Sequence, residues 1–220
     1  NSIQKILHGE NSVEFLFSEA DIGFFYNENM NPQSAIRHLE KAHSLEKTFK
    51  IDQEESINIA AETALAHLTL RKNGGDHLSK AQEVLKPYYN SKISNSLIRF
   101  KRDLSRSRIL SAKKKYAESA ESYEQTILSL QEVNENQHSA AEAHLYIEMA
   151  MTIELGSKSI PNAQEKSSEC YMNAHKVFLE IGDRESANKI DPMKLPKEYR
   201  EEIEKSLDIP LDTNRIEFIC

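Results

Sequence analysis

The stretch from Ile22 to Ala42, IGFFYNENMNPQSAIRHLEKA, decides the fold. Apolar residues recur in it at three- and four-residue spacing, which is typical of amphipathic helices. Asn31 and Pro32 interrupt this pattern, and they suit the N-cap and the first turn of a second helix. The stretch therefore predicts two consecutive helices joined by a short turn.

A pattern of small and large residues recurs along the chain in four successive helix pairs. Small residues let two helix backbones approach each other, and a large residue fills the groove between neighbouring pairs. One pair cannot bury its apolar face alone, so the pairs must stack. The positions with this pattern are Gly23, Tyr26, Ala35, Leu39 and Ala42; Ala66, Thr69, Ala81, Leu85 and Tyr88; Ser107, Leu110, Ser119, Tyr123 and Thr126; and Ala150, Ile153, Ser167, Tyr171 and Ala174.

The same spacing predicts where the later helices begin and end. We expect a turn at Asn73–Asp76 and an N-terminal extension at residues 1–10. The array should occupy residues 11–181, with a C-terminal tail over 182–220 that contains one short helix. The predicted helices are Gln53 to Arg71, a short one ending near Pro87, Asn95 to Ala112, Tyr116 to Val133, Ser139 to Leu155, Pro161 to Ile181, and Lys197 to Leu207; Arg215 to Ile219 is the one candidate strand.

Composition agrees with a soluble, folded, helical protein. Hydrophobic residues make up 39% of the 220 residues and charged residues 29%, with only 6 Gly and 6 Pro. The net charge of -7 argues against nucleic acid as the main partner. No apolar run is long enough to span a membrane. Two cysteines, Cys170 and Cys220, make no disulfide framework, which favours the cytoplasm or the nucleus.

The first helix pair resembles the tetratricopeptide repeat family. The spacing from Gly23 through Tyr26, Ala35 and Leu39 to Ala42 is that of the family. Later pairs have longer periods than the family's 34 residues, so the resemblance over residues 11 to 181 is degenerate. It implies an all-α, right-handed superhelical solenoid of antiparallel helix pairs, which binds a partner helix or peptide in its groove and is not an enzyme.

Residues 95 to 156 show a second resemblance. The segments Lys115–Ala120 and Met151–Ile153 are similar to helical repeats of subunits of the COP9 signalosome and the proteasome lid. This resemblance implies an alternative function, that of a subunit fragment of a large multi-protein complex. Because the chain begins at Asn1 rather than Met, we expect a fragment or a processed form. For the apolar end from Ile216 to Cys220 we expect either that the natural chain continues or that this end packs back on the helical array.

A cluster of basic residues is the most unusual local feature. Eight Lys and Arg residues lie between Arg99 and Lys115, and Arg99, Arg102 and Arg106 share one helix face. Together with Glu142, these three arginines are the candidate partner-binding residues, and the basic cluster would recognise an acidic peptide, a phosphorylated segment or a phosphate group. The alternative is a solvated face that pairs with carboxylates of neighbouring helices, such as Glu121 and Glu124.

Signals for chemistry are weak elsewhere. His138 with Glu142, and His144 with Glu148, have the spacing of one helix face, but no third ligand is near in sequence. Cys170 lies among apolar neighbours and is expected to be a buried structural thiol. We therefore expect no catalytic residue, no metal and no cofactor. Some tetratricopeptide proteins bind the C-terminal carboxylate of chaperones with a clamp of Lys, Asn and Arg side chains. Here Ala20 and Phe24 occupy the first-helix positions that would have Lys and Asn, so the sequence does not support such a clamp.

Overall fold

The computed structural model describes residues 9–207, and in this range the chain forms ten α-helices and no β-strand. The all-α prediction is confirmed for this part of the chain. Three short 3₁₀ turns, Arg71–Asn73, Lys86–Tyr88 and Pro192–Lys194, join helices. The helices are α1 (Val13–Glu28), α2 (Pro32–Glu46), α3 (Gln53–Leu70), α4 (His77–Leu85), α5 (Ser96–Ala112), α6 (Tyr116–Val133), α7 (Ala140–Leu155), α8 (Ala163–Glu180), α9 (Arg184–Asn188) and α10 (Lys197–Leu207).

Side-chain caps fix most of the helix starts. Asn31 Oδ1 accepts a hydrogen bond from the Ser34 amide at 3.2 Å, and Pro32 is the first residue of α2, as predicted. Asn95 accepts bonds from two amides at the start of α5. Ser139 does the same for one amide of α7. Each cap satisfies amides that have no partner within the helix, so these polar residues determine where the chain turns.

Gly23 shows how closely α1 and α2 pack. A Cβ atom built on Gly23 would lie 2.5 Å from Leu39 Cγ and 2.7 Å from its Cδ2, which is closer than carbon atoms normally approach. Leu39, Ala35 and Ala42 are fully buried. The prediction that small residues allow close packing is confirmed for this pair.

The helices pack largely in the order of the sequence. α1 packs on α2, α3 on α4, α5 on α6, and α7 on α8, while α2 also contacts α3 and α6 contacts α7. α3 additionally contacts α5. The largest apolar core extends from α5 to the segment after α9 and includes Ile153 and Phe178, each 1% exposed. This order places side chains of α3, α5 and α7 beside one another.

The segment after α8 differs in part from the prediction. α8 ends at Glu180, and Gly182 follows with φ of +81°, a left-handed conformation that ends helices. The predicted helix from Lys197 to Leu207 is confirmed, but the five-residue helix α9 was not predicted. The candidate strand at Arg215–Ile219 and the apolar end lie outside the described residues.

Candidate functional site

Two exposed apolar side chains lie on the last turns of α7. Met151 is 51% exposed and Leu155 is 65% exposed, and their four-residue spacing puts both on one face. The opposite face of α7 carries Met149 and Ile153, which are buried in the core. Because α7 is apolar on both sides, burying one side leaves the other in contact with water.

These two side chains border a groove of about 370 Å³, which we call the α3–α5–α7 groove. Three helices that are separated in sequence contribute to it, and α6 adds the ring of Tyr123. An exposed arginine, Arg71, lies at one rim. The lining residues are Leu68, Thr69, Arg71, Arg108, Ser111, Tyr123, Glu148, Met151, Thr152 and Leu155.

One wall of the groove is a polar network that joins three helices. Arg108 donates two hydrogen bonds to Glu148, from Nε at 2.9 Å and from a terminal nitrogen at 2.6 Å. The Tyr123 hydroxyl donates to the same carboxylate at 2.8 Å. A bidentate arginine–carboxylate pair has a fixed geometry, so this network holds α5, α6 and α7 in register.

The network also fixes its own protonation. Burial opposes ionisation of Glu148, but the hydrogen bonds and charge of Arg108 outweigh it and hold the pKa of Glu148 below its usual value. Burial first, and then the charge of Glu148, raise the pKa of Tyr123. Neither group therefore exchanges a proton near neutral pH.

The predicted basic cluster is dispersed among several partners. Arg99 pairs with Glu132, and Lys101 Nζ lies 2.7 Å from Glu62. Arg108 pairs with Glu148 as described. The cluster does pair with carboxylates of other helices, and among the described residues its ion pairs with them go to Glu132, Glu62 and Glu148. Glu121 and Glu124 line the same groove as three of the arginines without forming an ion pair with them.

Arg102 is a buried structural residue. It is 9% exposed, bonds to Asp103 at 2.7 Å, and donates to the Ser91 carbonyl oxygen at 2.7 Å. The last bond ties α5 to the segment that precedes it. Arg106 lies 5.2 Å from the centre of the Tyr89 ring, in a cation–π contact.

The three predicted arginines line one groove together, and Glu142 does not join them. Arg99, Arg102 and Arg106 line a groove of about 570 Å³, and four glutamates of α6, including Glu132, line it with them. Glu142 lies on α7, is 1% exposed, and accepts bonds from Gln131 at 2.7 Å and His138 at 2.9 Å. Burial keeps Arg102 and Glu142 from direct contact with a partner, so Arg99 and Arg106 alone stay candidates for it.

His138 links two helices through carboxylates. Its Nδ1 lies 2.9 Å from Glu142 and its Nε2 lies 3.1 Å from Glu180 of α8. The contact between His138, just before α7, and Glu142, in its first turn, agrees with the four-residue spacing in the sequence. Among the described residues, no group of three or more His, Cys, Asp and Glu side chains could hold a metal ion.

Cys170 is buried, as predicted. It is 6% exposed, and burial first, then the charges of nearby glutamates, raise the pKa of its thiol to about 12. A thiol with so high a pKa is protonated at neutral pH and is a poor nucleophile.

Neither the protein-family models nor the curated proteins include a match to this chain. No helix within residues 9–207 combines the length and the apolar character needed to cross a membrane. In the described residues, fold and site together define an all-α arrangement with a groove between helices that are distant in sequence, bordered by exposed apolar side chains on one side and by a polar network on another.

Proposed function

We propose that the chain is a non-catalytic scaffold that binds a helix or peptide of another protein in the α3–α5–α7 groove. The exposure of Met151 and Leu155 carries this proposal. Exposed apolar side chains beside a groove are typical of protein interaction sites. Methionine is also flexible, so its side chain adapts to different partner surfaces.

The arrangement of the pairs supports the same proposal. α3, α5 and α7 are the first helices of the second, third and fourth predicted pairs. In a right-handed stack of antiparallel pairs of the tetratricopeptide type, first helices would line one continuous inner surface. That three of them line one groove is what such a stack requires.

The polar groups of the groove favour binding over catalysis. Arg108 and Tyr123 both donate hydrogen bonds to Glu148, and the raised pKa values of Arg108 and Tyr123 and the lowered pKa of Glu148 keep each in one protonation state. General acid–base catalysis needs a group whose pKa is close to the working pH. The wall of the groove therefore suits a fixed binding surface.

A comparison of two double variants tests this function. Met151→Glu with Leu155→Glu places charge in the groove, whereas Leu97→Glu with Leu179→Glu places the same charge on exposed positions outside it, 45% and 43% exposed. Quantitative affinity purification from cells should show proteins that the wild type and the control retain and the groove variant loses. Equal retention by both variants would contradict the proposal.

A second candidate is the alternative of a complex subunit of the signalosome or lid type. Phe25, in the last turn of α1, and Met30, in the turn after it, are 59% and 80% exposed, which favours contact with a neighbouring subunit. Phe25→Ser with Met30→Ser should then release the chain from a large assembly in size-exclusion chromatography of cell extracts. An unchanged elution volume would exclude this surface.

A further inference from the structure

A crevice of about 300 Å³ lies between α6 and α8, on a set of residues separate from the α3–α5–α7 groove. Its floor is apolar and well packed: Met149 and Ile153 of α7 are 7% and 1% exposed, and Ile160 is 8% exposed. Cys170 of α8, also buried, completes the floor. We call this feature the α6–α8 crevice.

The sequence of α6 explains why the crevice is open. Ala117, Ala120, Glu121 and Glu124 follow the spacing of one helix face, and they line the crevice together. The two alanines have short side chains, so they leave space between the two helices that larger residues would fill. The turn after α7 closes one end with Ile160 and Pro161.

The rim of the crevice is acidic. Glu121, Glu124 and Glu169 are exposed and line it, together with one ammonium group, that of Lys166. On the other side of α6, Glu121 and Glu124 also border the groove that contains Arg99, Arg102 and Arg106. Within the described residues these three glutamates form no ion pair. The carboxylates of Glu169 and Glu124 lie close enough to Cys170 that their charges, after burial, also raise the pKa of its thiol. Three negative charges therefore surround an apolar floor.

We propose that the α6–α8 crevice binds a basic, amphipathic segment of another protein, which inserts one apolar side chain between α6 and α8. Lysine or arginine side chains of that segment lie beside Glu121, Glu124 and Glu169. Complementary charge determines the choice of partner, because an acidic or neutral segment would leave the three carboxylates unpaired. The net charge of -7 also attracts a basic segment before contact.

The size of the crevice sets the kind of contact. A volume of about 300 Å³ is at the small end for binding pockets, and it suits one apolar anchor rather than a whole helix face. The anchor and its flanking cations then bind to different parts of the site. Two independent kinds of variant can therefore test them separately.

A library of random 12-residue peptides displayed on phage provides the probe. We expect selection on the wild-type protein to enrich peptides with an apolar residue flanked by Lys or Arg. The dissociation constant of an enriched peptide, labelled with fluorescein, is then measured by fluorescence anisotropy. Absence of enrichment, or enrichment of acidic sequences, would overturn the proposal.

Charge-matched variants test the rim. Glu121→Gln, Glu124→Gln and Glu169→Gln together should weaken binding about tenfold, the combined effect of three exposed ion pairs. The control replaces three exposed glutamates elsewhere, Glu14, Glu28 and Glu135, by Gln, and it changes the net charge equally. Binding to the control should weaken less than twofold. Equal weakening in both variants would mean general attraction to an acidic protein and would refute the site.

Filling the crevice tests the apolar anchor. Ala117→Phe puts a ring at an exposed lining position, and Ala140→Phe puts the same ring at an exposed position outside the crevice. The first variant should lose peptide binding and the second should keep it. Retained binding to Ala117→Phe, with loss instead in Met151→Glu with Leu155→Glu, would assign the peptide to the other groove and exclude the crevice.

Discussion

Replacing Gly23 by alanine tests the close packing of α1 and α2. The added methyl group would lie 2.5 Å from Leu39 Cγ and 2.7 Å from Cδ2, whereas carbon atoms pack best at about 3.5–4.0 Å. Leu39 has no exposed surface and cannot move into solvent. The helices must therefore separate by roughly 1 Å, or Leu39 must leave its preferred rotamer.

Two effects of opposite sign determine the magnitude. Extra methyl groups in a packed core typically cost about 1–3 kcal/mol. Alanine stabilises a helix interior by about 1 kcal/mol relative to glycine. We expect the clash to win, because the contact involves two carbon atoms of a fully buried side chain. The free energy of unfolding should fall by about 1–2 kcal/mol.

Urea denaturation followed by far-UV circular dichroism measures this change, and a double-mutant cycle supplies the control. Leu39→Ala alone should cost about 2–5 kcal/mol because it leaves a cavity. In the Leu39→Ala background, Gly23→Ala should become neutral or stabilising, since the methyl group then has space. If Gly23→Ala stabilises the otherwise unchanged protein by about 1 kcal/mol, the close approach of α1 and α2 is refuted.

Further predictions concern hydrogen bonding, pH and backbone strain. Tyr123→Phe removes the bond to Glu148, and urea denaturation should show a loss of about 1 kcal/mol that becomes smaller in a Glu148→Ala background, which has no side-chain acceptor for the hydroxyl. Burial is the largest influence on His67, and it lowers the pKa of this side chain below its usual value near 6.5. Protonation of His67 therefore favours the unfolded chain, so the contribution of His67 to the free energy of unfolding is complete above pH 6.5 and is lost as the pH falls through the lowered pKa. Denaturation midpoints at pH 7.5 and 5.5 should therefore differ, and they should differ less in His67→Gln; an unchanged difference would mean that His67 does not cause it. Met30 has φ of +56°, and Met30→Gly should raise the thermal midpoint because glycine adopts this conformation without strain, whereas a lower midpoint would contradict that.

Local signals predicted most of the helix bounds. Asn31 and Pro32 mark the start of α2 because capping and proline geometry depend on neighbouring residues only. α9 was missed because it has five residues, fewer than two turns, which is too short for a period of 3.6 to be visible.

The candidate site could not be predicted because it depends on contacts between distant residues. Met151 and Leu155 look like core residues in the sequence, since α7 is apolar on both faces and only packing decides which face is buried. Arg102 looks like a surface cation, but the carbonyl of Ser91, eleven residues away, accepts its hydrogen bond and favours its burial. Charge spacing along one helix contains no information about such partners.

Photo-crosslinking from within the groove tests the proposed function most directly. A benzophenone amino acid at Leu155, which is 65% exposed, should form covalent adducts with a partner protein in cells. The same group at Leu179, which is exposed on α8 outside the groove, should not form those adducts. Adducts specific to Leu155, identified by mass spectrometry, are the predicted result. No adduct at Leu155, or the same adducts from both positions, would contradict binding in the α3–α5–α7 groove.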